Sequence, residues 1–258
     1  MKSLVGEPFP EEFCLQGNDA DLPQLWNTYA IAGYEKIYQA RITKNHRQEL
    51  GKLFLSVGGV CLDAGCGTGV FFELITQKIQ PGVVYAVDWA EEMLRKADRE
   101  AEKLQRNSKT KFKIRRSDLS KPWLCVNQYF DTVVSNQFIN YLPGGWEFPL
   151  KEMSRVLKPG GYLYLGTFLI ERKVWSLSNI LKHAPIEFFR DPIATLKELE
   201  CWKFRSILLE LEKMVGGFGA RFPSHQELIN SLETIGFEEI TVKMTYWGGG
   251  VALRARRK

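Results

Sequence analysis

The sequence predicts a doubly wound α/β protein, a parallel sheet with helices on both faces. Three observations predict it. From about residue 57 to 168, short β-branched or aromatic runs alternate with helical patterns, the order that produces parallel βαβ crossovers. A glycine-rich turn joins the first strand to the first helix, at the end of the sheet where such folds bind ligands. Hydrophobic residues make up 45% of the 258 residues, enough to bury a large core and to exclude a wholly disordered chain.

The elements follow in order. Val57–Ala64 reads as the first strand and Thr68–Gln80 as a helix closed by Pro81-Gly82. Val83–Asp88 is the second strand, followed by a helix over Ala90–Arg106 with Met93, Leu94, Ala97, Ala101 and Leu104 on its apolar side. Lys111–Arg115 and Asp131–Ser135 are strands three and four. Trp146–Leu157 is a helix stopped by Lys158-Pro159-Gly160-Gly161, and Tyr162–Phe168 is strand five. Near the end, Ser224-x-x-Glu227 forms a capping box before a helical run from Leu228 to Ile235, with Gly236 at the position of a C′ residue. Glu239–Trp247 and Val251–Arg256 then pair as a hairpin around Gly248-Gly249-Gly250, which makes the last strand antiparallel. Two segments stand outside this core of residues 53–168 and 223–258. Residues 1–52 hold one helix, from Leu22 to about Thr43. Residues 169–222 are an aromatic-rich insertion whose clearest element is an amphipathic helix carrying Leu196, Leu199, Trp202, Ile207, Leu211 and Met214.

Composition narrows the function classes. The cysteines, Cys14, Cys61, Cys66, Cys125 and Cys201, are five, scattered, and form no C-x-x-C pair. That fits unpaired thiols in a reducing compartment and predicts neither a disulfide scaffold nor a metal site. Gly161–Ile170, the longest nearly apolar run, is too short to span a bilayer, and residues 1–20 show no secretory pattern. The expectation is a cytoplasmic enzyme. A net charge of +5 is modest for this length, and the basic residues between Arg95 and Arg116 alternate with Asp98, Glu100 and Glu102, so no nucleic-acid partner is expected. The basic tail Arg254, Arg256, Arg257, Lys258 would allow peripheral contact with anionic lipid if the substrate were membrane-soluble.

The chemistry lies in Asp63-Ala64-Gly65-Cys66-Gly67-Thr68-Gly69. Its glycines let the backbone turn sharply and approach a ligand, and the following helix N-terminus offers unsatisfied N–H groups. Asp88 ends strand two, where an acid accepts both hydroxyls of a ribose. A dinucleotide fingerprint would require glycine or alanine at position 70, which is Val70. Asp63, ahead of the first glycine, would repel a pyrophosphate but can hold an ammonium. A ligand with an amino-acid end and an adenosine end fits both acids, and S-adenosylmethionine is such a ligand.

These residues resemble the class I S-adenosylmethionine-dependent methyltransferases. Asp63-x-Gly65-x-Gly67-x-Gly69 is similar to that family's first motif. Val87-Asp88-Trp89-Ala90-Glu91-Glu92-Met93-Leu94 resembles its second, Ser117-Asp118-Leu119 its adenine-edge site, Phe130–Asn136 its fourth, and Arg155–Gly161 the turn before strand five. The resemblance implies a Rossmann-like fold with a seven-stranded sheet. It implies a cofactor site of Tyr29, Asp63, Gly65, Gly67, Thr68, Asp88, Trp89, Met93, Asp118, Leu119 and Asn136, although Met93 fits ordinary packing as well. Asp88 would hold the ribose, Trp89 would sit beside the adenine, and Tyr29 or Tyr34 would close over the cofactor.

The ending is similar to that of the ubiquinone/menaquinone biosynthesis C-methyltransferases, through Phe222–Leu228, Gly236-Phe237-Glu238 and Met244–Leu253. This implies a small, aromatic or quinone-like acceptor methylated on carbon. O- or N-methylation of another metabolite, an RNA substrate and a non-catalytic cofactor-binding subunit remain open. The chain departs from that family at Gln137-Phe138-Ile139-Asn140-Tyr141. No catalytic residue is fixed, and His183 and Tyr141 are the candidates for a base. His46 is expected at the surface and His225 at a helix terminus. The insertion, after strand five, is expected to form the acceptor pocket or a lid over it.

Overall fold

A computed structural model describes residues 21–32, 41–142, 144–170 and 221–258. Seven strands form one sheet in the order β3-β2-β1-β4-β5-β7-β6. They are β1 (Val60–Ala64), β2 (Val83–Asp88), β3 (Lys111–Arg116), β4 (Phe130–Asn136), β5 (Leu157–Phe168), β6 (Phe237–Thr245) and β7 (Gly250–Arg257). The first five are mutually parallel, and β7 runs antiparallel to both β5 and β6, between which it lies. The doubly wound sheet and its antiparallel C-terminal strand are therefore as the sequence predicts.

Alternation along the strands assigns the helices to faces. Cys61, Val84, Ala86, Val134 and Tyr164 pack with Leu50 and Phe54, with Phe72, Ile75 and Ile79, and with Ala97 and Ala101. That face carries α2 (Arg41–Leu53), α3 (Phe72–Leu74, continued by Ile75–Ile79 as a π-helix) and α4 (Glu91–Gln105). Their neighbours Leu62, Tyr85, Val87, Val133, Leu163 and Leu165 point the other way. They pack on Leu150 and Met153 of α5 (Glu147–Val156) and on Leu228 and Leu232 of α6 (His225–Thr234). The capping box of α6 is present, with the Ser224 hydroxyl accepting from the Glu227 N–H at 3.2 Å and Glu227 Oε2 from the Ser224 N–H at 2.8 Å. Residue 225 is accordingly at the helix terminus, and Gly236 follows at φ +92°.

Boundaries differ where backbone geometry overrides side-chain pattern. β1 starts at Val60 rather than Val57, because Gly58 and Gly59 have φ of +66° and +71° and turn the chain. The Asp131 carboxylate then accepts the Val60 N–H at 2.8 Å and the Lys158 ammonium at 2.7 Å, tying β1 to β4 and β5. The helix expected from Thr68 begins at Phe72, since Thr68–Phe71 belong to the glycine turn, and Gln80 in the left-handed region ends it. β6 stops at Thr245, and Tyr246–Gly248 form a 3-10 turn leading into β7.

The N-terminal reading changes most. The described residues show α1 (Asp21–Ala32) and then α2, which extends well past Thr43 to Leu53. α1 docks on α4. Asn27 Oδ1 accepts the Glu92 N–H at 2.9 Å, and the Lys96 ammonium donates to the Ala30 carbonyl at 2.6 Å. His46, expected at the surface, is 1% exposed. It lies on the inward face of α2, four residues before Leu50, which belongs to the core.

Cys61, Cys66 and Cys125 are free and buried. Among the described residues no helix is long and apolar enough to cross a membrane, and no cluster of His, Cys, Asp and Glu could hold a metal. The last two arginines are engaged by the fold: Arg256 pairs with Glu238 and Glu239 of β6 at 2.7 Å, and Arg257 donates to the carbonyls of Ser154 in α5 and of Gly236. The helix expected between Leu196 and Met214 lies outside the described residues.

Candidate active site

β1 and β4 are neighbours in the sheet, yet their following helices pack on opposite faces, so a cleft opens beyond their carboxyl ends. The glycine turn forms its floor. Gly65, Gly67 and Gly69 have φ of +73°, +54° and +80°, values that an L side chain adopts only with strain. The N–H groups of Gly65 and Cys66 both donate to the Val87 carbonyl, at 2.9 and 3.0 Å. At Gly65 a Cβ would lie 2.3 Å from the Phe138 ring, whereas at Gly67 it would meet nothing within 4 Å. Gly65 is thus required for packing, and Gly67 leaves space that a ligand can use.

Two acids flank the turn. Asp88 Oδ2 accepts the Gly67 N–H at 2.8 Å and Oδ1 accepts the Ala90 N–H at 3.0 Å. Each oxygen keeps acceptor capacity toward the cleft. Burial raises the Asp88 carboxyl above its usual range, opposed by these backbone donors. Asp63, at 3% exposure, has one oxygen with no hydrogen-bond partner. Burial, and secondly the charge of Asp88, push its carboxyl up to about 8. A buried acid with an orphaned oxygen lacks a donor, and an ammonium is the donor that would return it to the ionised form.

On one side the cleft is lined by Trp89, Met93, Ser117 and Leu119, and on the other by Trp26, Asn136, Gln137, Phe138, Tyr141 and Leu142. Trp26 of α1 meets Tyr141 edge to face, with ring centroids 5.2 Å apart. Of the residues singled out from sequence, Asp63, Gly65, Gly67, Asp88, Trp89, Met93, Leu119, Asn136 and Tyr141 are brought together here. Thr68 and Asp118 are not among the lining residues. Thr68 is buried with its hydroxyl unpartnered. Asp118 turns into its own loop, where one oxygen accepts the Ser120 N–H and hydroxyl and the other faces Lys121 at 3.2 Å. The neighbouring Ser117, with a buried and unpartnered hydroxyl, lines the cleft instead. Tyr29 falls on α1 with its side chain outside the description, and Tyr34 and His183 lie outside the described residues.

Sequence reasoning missed the apolar Phe138 and Leu142, and with them Trp26, Gln137 and His46. Trp26 falls within the helix expected from Leu22 to about Thr43 with no motif to mark it, and the docking of α1 on α4 brings it to the cleft. Gln137 has φ +54° and a side-chain amide with neither Oε1 nor Nε2 partnered. Nothing in the order of residues marks such a strained position. His46 reaches the site indirectly. Its Nε2 is 2.7 Å from Asn136 Oδ1, its Nδ1 is 2.9 Å from Thr245 Oγ1, and its ring lies 4.6 Å from that of Tyr246.

Residues 61–161 match the family described as Methyltransferase domain. The chain is 31% identical over 177 residues to the biotin biosynthesis bifunctional protein BioHC of Teredinibacter turnerae, covering 62% of this chain and 30% of that protein. It spans 30 to 40% of the length of the curated relatives it matches. Among solved structures, Haemonchus contortus phosphoethanolamine N-methyltransferase 2 in complex with S-adenosyl-L-methionine superposes with a TM-score of 0.58 at 15% identity, over 90% of this chain and 57% of that one. An S-adenosylmethionine-dependent methyltransferase from Thermotoga maritima gives 0.56 at 19% identity, over 91% and 99%. At these identities the likeness is one of fold.

Proposed function

We infer that the cleft of this chain, whose residues 61–161 match the Methyltransferase domain family, binds S-adenosylmethionine and directs its methyl group to a small aromatic or quinone-like acceptor, on carbon. The carrying observation is the orphaned oxygen of buried Asp63 beside the open space at Gly67. The residues present fit such a cofactor. Asp63 would take the ammonium of its amino-acid end, Asp88 the ribose hydroxyls, and Trp89, Met93 and Leu119 the adenine, with Ser117 offering a hydroxyl near its edge.

When bound, the cofactor supplies a sulfonium-activated methyl group, so the protein's work is alignment and exclusion of water. Gly65 and Gly67 set the floor against which the ligand lies. Trp26, Phe138, Tyr141 and Leu142 form an apolar wall beyond the ends of β1 and β4, suited to a flat ring and poorly suited to a phosphate. That wall supports the aromatic reading. Tyr141 is the described side chain there that can exchange a proton with an acceptor, and His183 remains a candidate from sequence alone. The insertion is proposed to complete the acceptor pocket.

Titration calorimetry with S-adenosylhomocysteine tests the cofactor assignment. Asp88→Ala should weaken binding about tenfold or more, the loss of a charge-assisted hydrogen-bond pair, and an unchanged affinity would refute the role of Asp88. Turnover of small-metabolite extracts with methyl-labelled cofactor, followed by mass spectrometry, tests the acceptor. A ring-carbon label supports the proposal, whereas a label on oxygen, nitrogen or RNA replaces its acceptor half.

A further inference from the structure

Asn136 and Gln137 stand side by side at the carboxyl end of β4, and both line the cleft. The Asn136 amide is held from behind. Its Oδ1 faces His46 Nε2 at 2.7 Å, and His46 Nδ1 faces the Thr245 hydroxyl at 2.9 Å. The imidazole is 1% exposed, and burial lowers its pKa to about 4, so it is neutral near pH 7. An amide oxygen can only accept. Nε2 therefore carries the proton and Nδ1 accepts from the Thr245 hydroxyl. Gly166 permits the arrangement, since a Cβ there would lie 2.2 Å from Asn136 Oδ1 and 2.6 Å from His46 Nε2. With Oδ1 facing His46, Nδ2 is the end of the Asn136 amide that the imidazole does not engage, and Asn136 lines the cleft.

Gln137 brings the complementary group. It is 8% exposed, and its Oε1 and Nε2 are buried without a hydrogen-bond partner. Its backbone is left-handed at φ +54°, pinned by donation from its N–H to the Gly166 carbonyl at 2.8 Å. An unpaired buried amide on a strained backbone is doubly unfavourable in the free protein. Both costs have a use if a ligand supplies the missing partner. The only carboxylates lining the cleft among the described residues are those of Asp63 and Asp88, and no Lys, Arg or His lines it.

We propose that Asn136 and Gln137 together bind an uncharged hydroxyl group carried by a flat apolar acceptor, and that His46 is the positioning residue that aims Asn136 at it. A hydroxyl has one proton and two lone pairs. It can donate to Gln137 Oε1 while accepting from Asn136 Nδ2; an ammonium has no lone pair for Nδ2, a doubly ionised phosphate has no proton for Oε1, and among the described residues no Lys, Arg or His lines the cleft to neutralise a phosphate. The inference rests on the cofactor reading above, because that reading puts the acceptor at this end of the cleft.

The test uses the full chain saturated with S-adenosylhomocysteine and three fluorinated compounds observed by 19F NMR: 4-fluorophenol, fluorobenzene and 4-fluorophenyl phosphate. The phenol should bind at least tenfold tighter than either of the others. His46→Gln and Gln137→Leu should each erase most of that preference while leaving S-adenosylhomocysteine affinity within about twofold. The 15N spectrum of His46 should show the Nε2–H tautomer. Equal binding of phenol and fluorobenzene, tighter binding of the phosphate, or an Nδ1–H tautomer would overturn the proposal. Should His46→Gln fail to fold, Gln137→Leu and the tautomer decide. Wild-type protein that binds no S-adenosylhomocysteine would overturn the cofactor reading and this inference with it. Cofactor binding without hydroxyl preference overturns this inference alone.

Discussion

Asp63 and His46 are both buried ionisable groups, and burial moves them in opposite directions. A carboxyl raised to about 8 is mostly protonated at pH 7, and an ammonium against its free oxygen favours ionisation. Binding of S-adenosylhomocysteine should therefore release close to one proton at pH 7, falling as the pH rises through 8. Calorimetry in buffers of differing ionisation enthalpy reads this directly; Asp63→Asn should release none, and wild-type binding without release at pH 7 would refute the pairing. His46 is lowered from 6.5 to about 4, so on acidification the unfolded chain takes up a proton that the native state refuses. Its contribution to stability is intact above pH 6.5 and declines toward pH 4. In the free protein Asp63 opposes this, since a raised carboxyl favours the native state at low pH and loses that contribution as pH rises through 8. The difference between wild type and His46→Gln isolates the histidine. It should shrink by roughly 2–3 kcal/mol between pH 7 and pH 4.5 in denaturant titrations, and a pH-independent difference would show that His46 is not held neutral.

At the scale of elements, the sequence is most legible where a signal is local. β2, bounded by Val83 and Asp88, matches its β-branched run residue for residue, and α6 follows its capping box. Legibility fails where a distant residue decides. α4 has Ala90 at its N-cap, with no side chain to offer, and Asn27 from α1 accepts its second amide instead. β1 begins where Asp131, from β4, captures the Val60 N–H. In the candidate site the acids and glycines are readable because the turn is contiguous, whereas Trp26 and His46 arrive from helices far away in sequence. The glycine turn itself divides into two tasks that substitution should separate. Gly67→Ala puts a methyl group into open cleft space at φ +54°, so it should cost about 1 kcal/mol of stability and weaken S-adenosylhomocysteine at least tenfold. Gly65→Ala drives a methyl group into the Phe138 ring and should destabilise by more than that. Thermal melts beside calorimetry distinguish them; equal loss of affinity without loss of stability in both would dissolve the distinction.

Across the whole molecule, one sheet separates two apolar clusters, and each inner strand contributes side chains to both. Leu62 and Cys61 face opposite ways on β1, as do Val133 and Val134 on β4, so neither cluster can loosen without exposing the other. The cleft draws on the ends of β1, β2 and β4 and on α1. A ligand there therefore ties the loops of both halves to one cooperative unit. S-adenosylhomocysteine at a hundred times its dissociation constant should stabilise the native state by about 2.7 kcal/mol through mass action. For a chain of this size that corresponds to a rise in Tm of several degrees. The shift should be the same whether unfolding is followed by far-UV dichroism, which reports helices on both faces, or by tryptophan fluorescence. In Asp88→Ala at the same ligand concentration about 1.4 kcal/mol of it should disappear, the equivalent of a tenfold weaker site. Two separated transitions, with only one moved by the ligand, would mean that the cleft stabilises one cluster and that the shared sheet does not couple them.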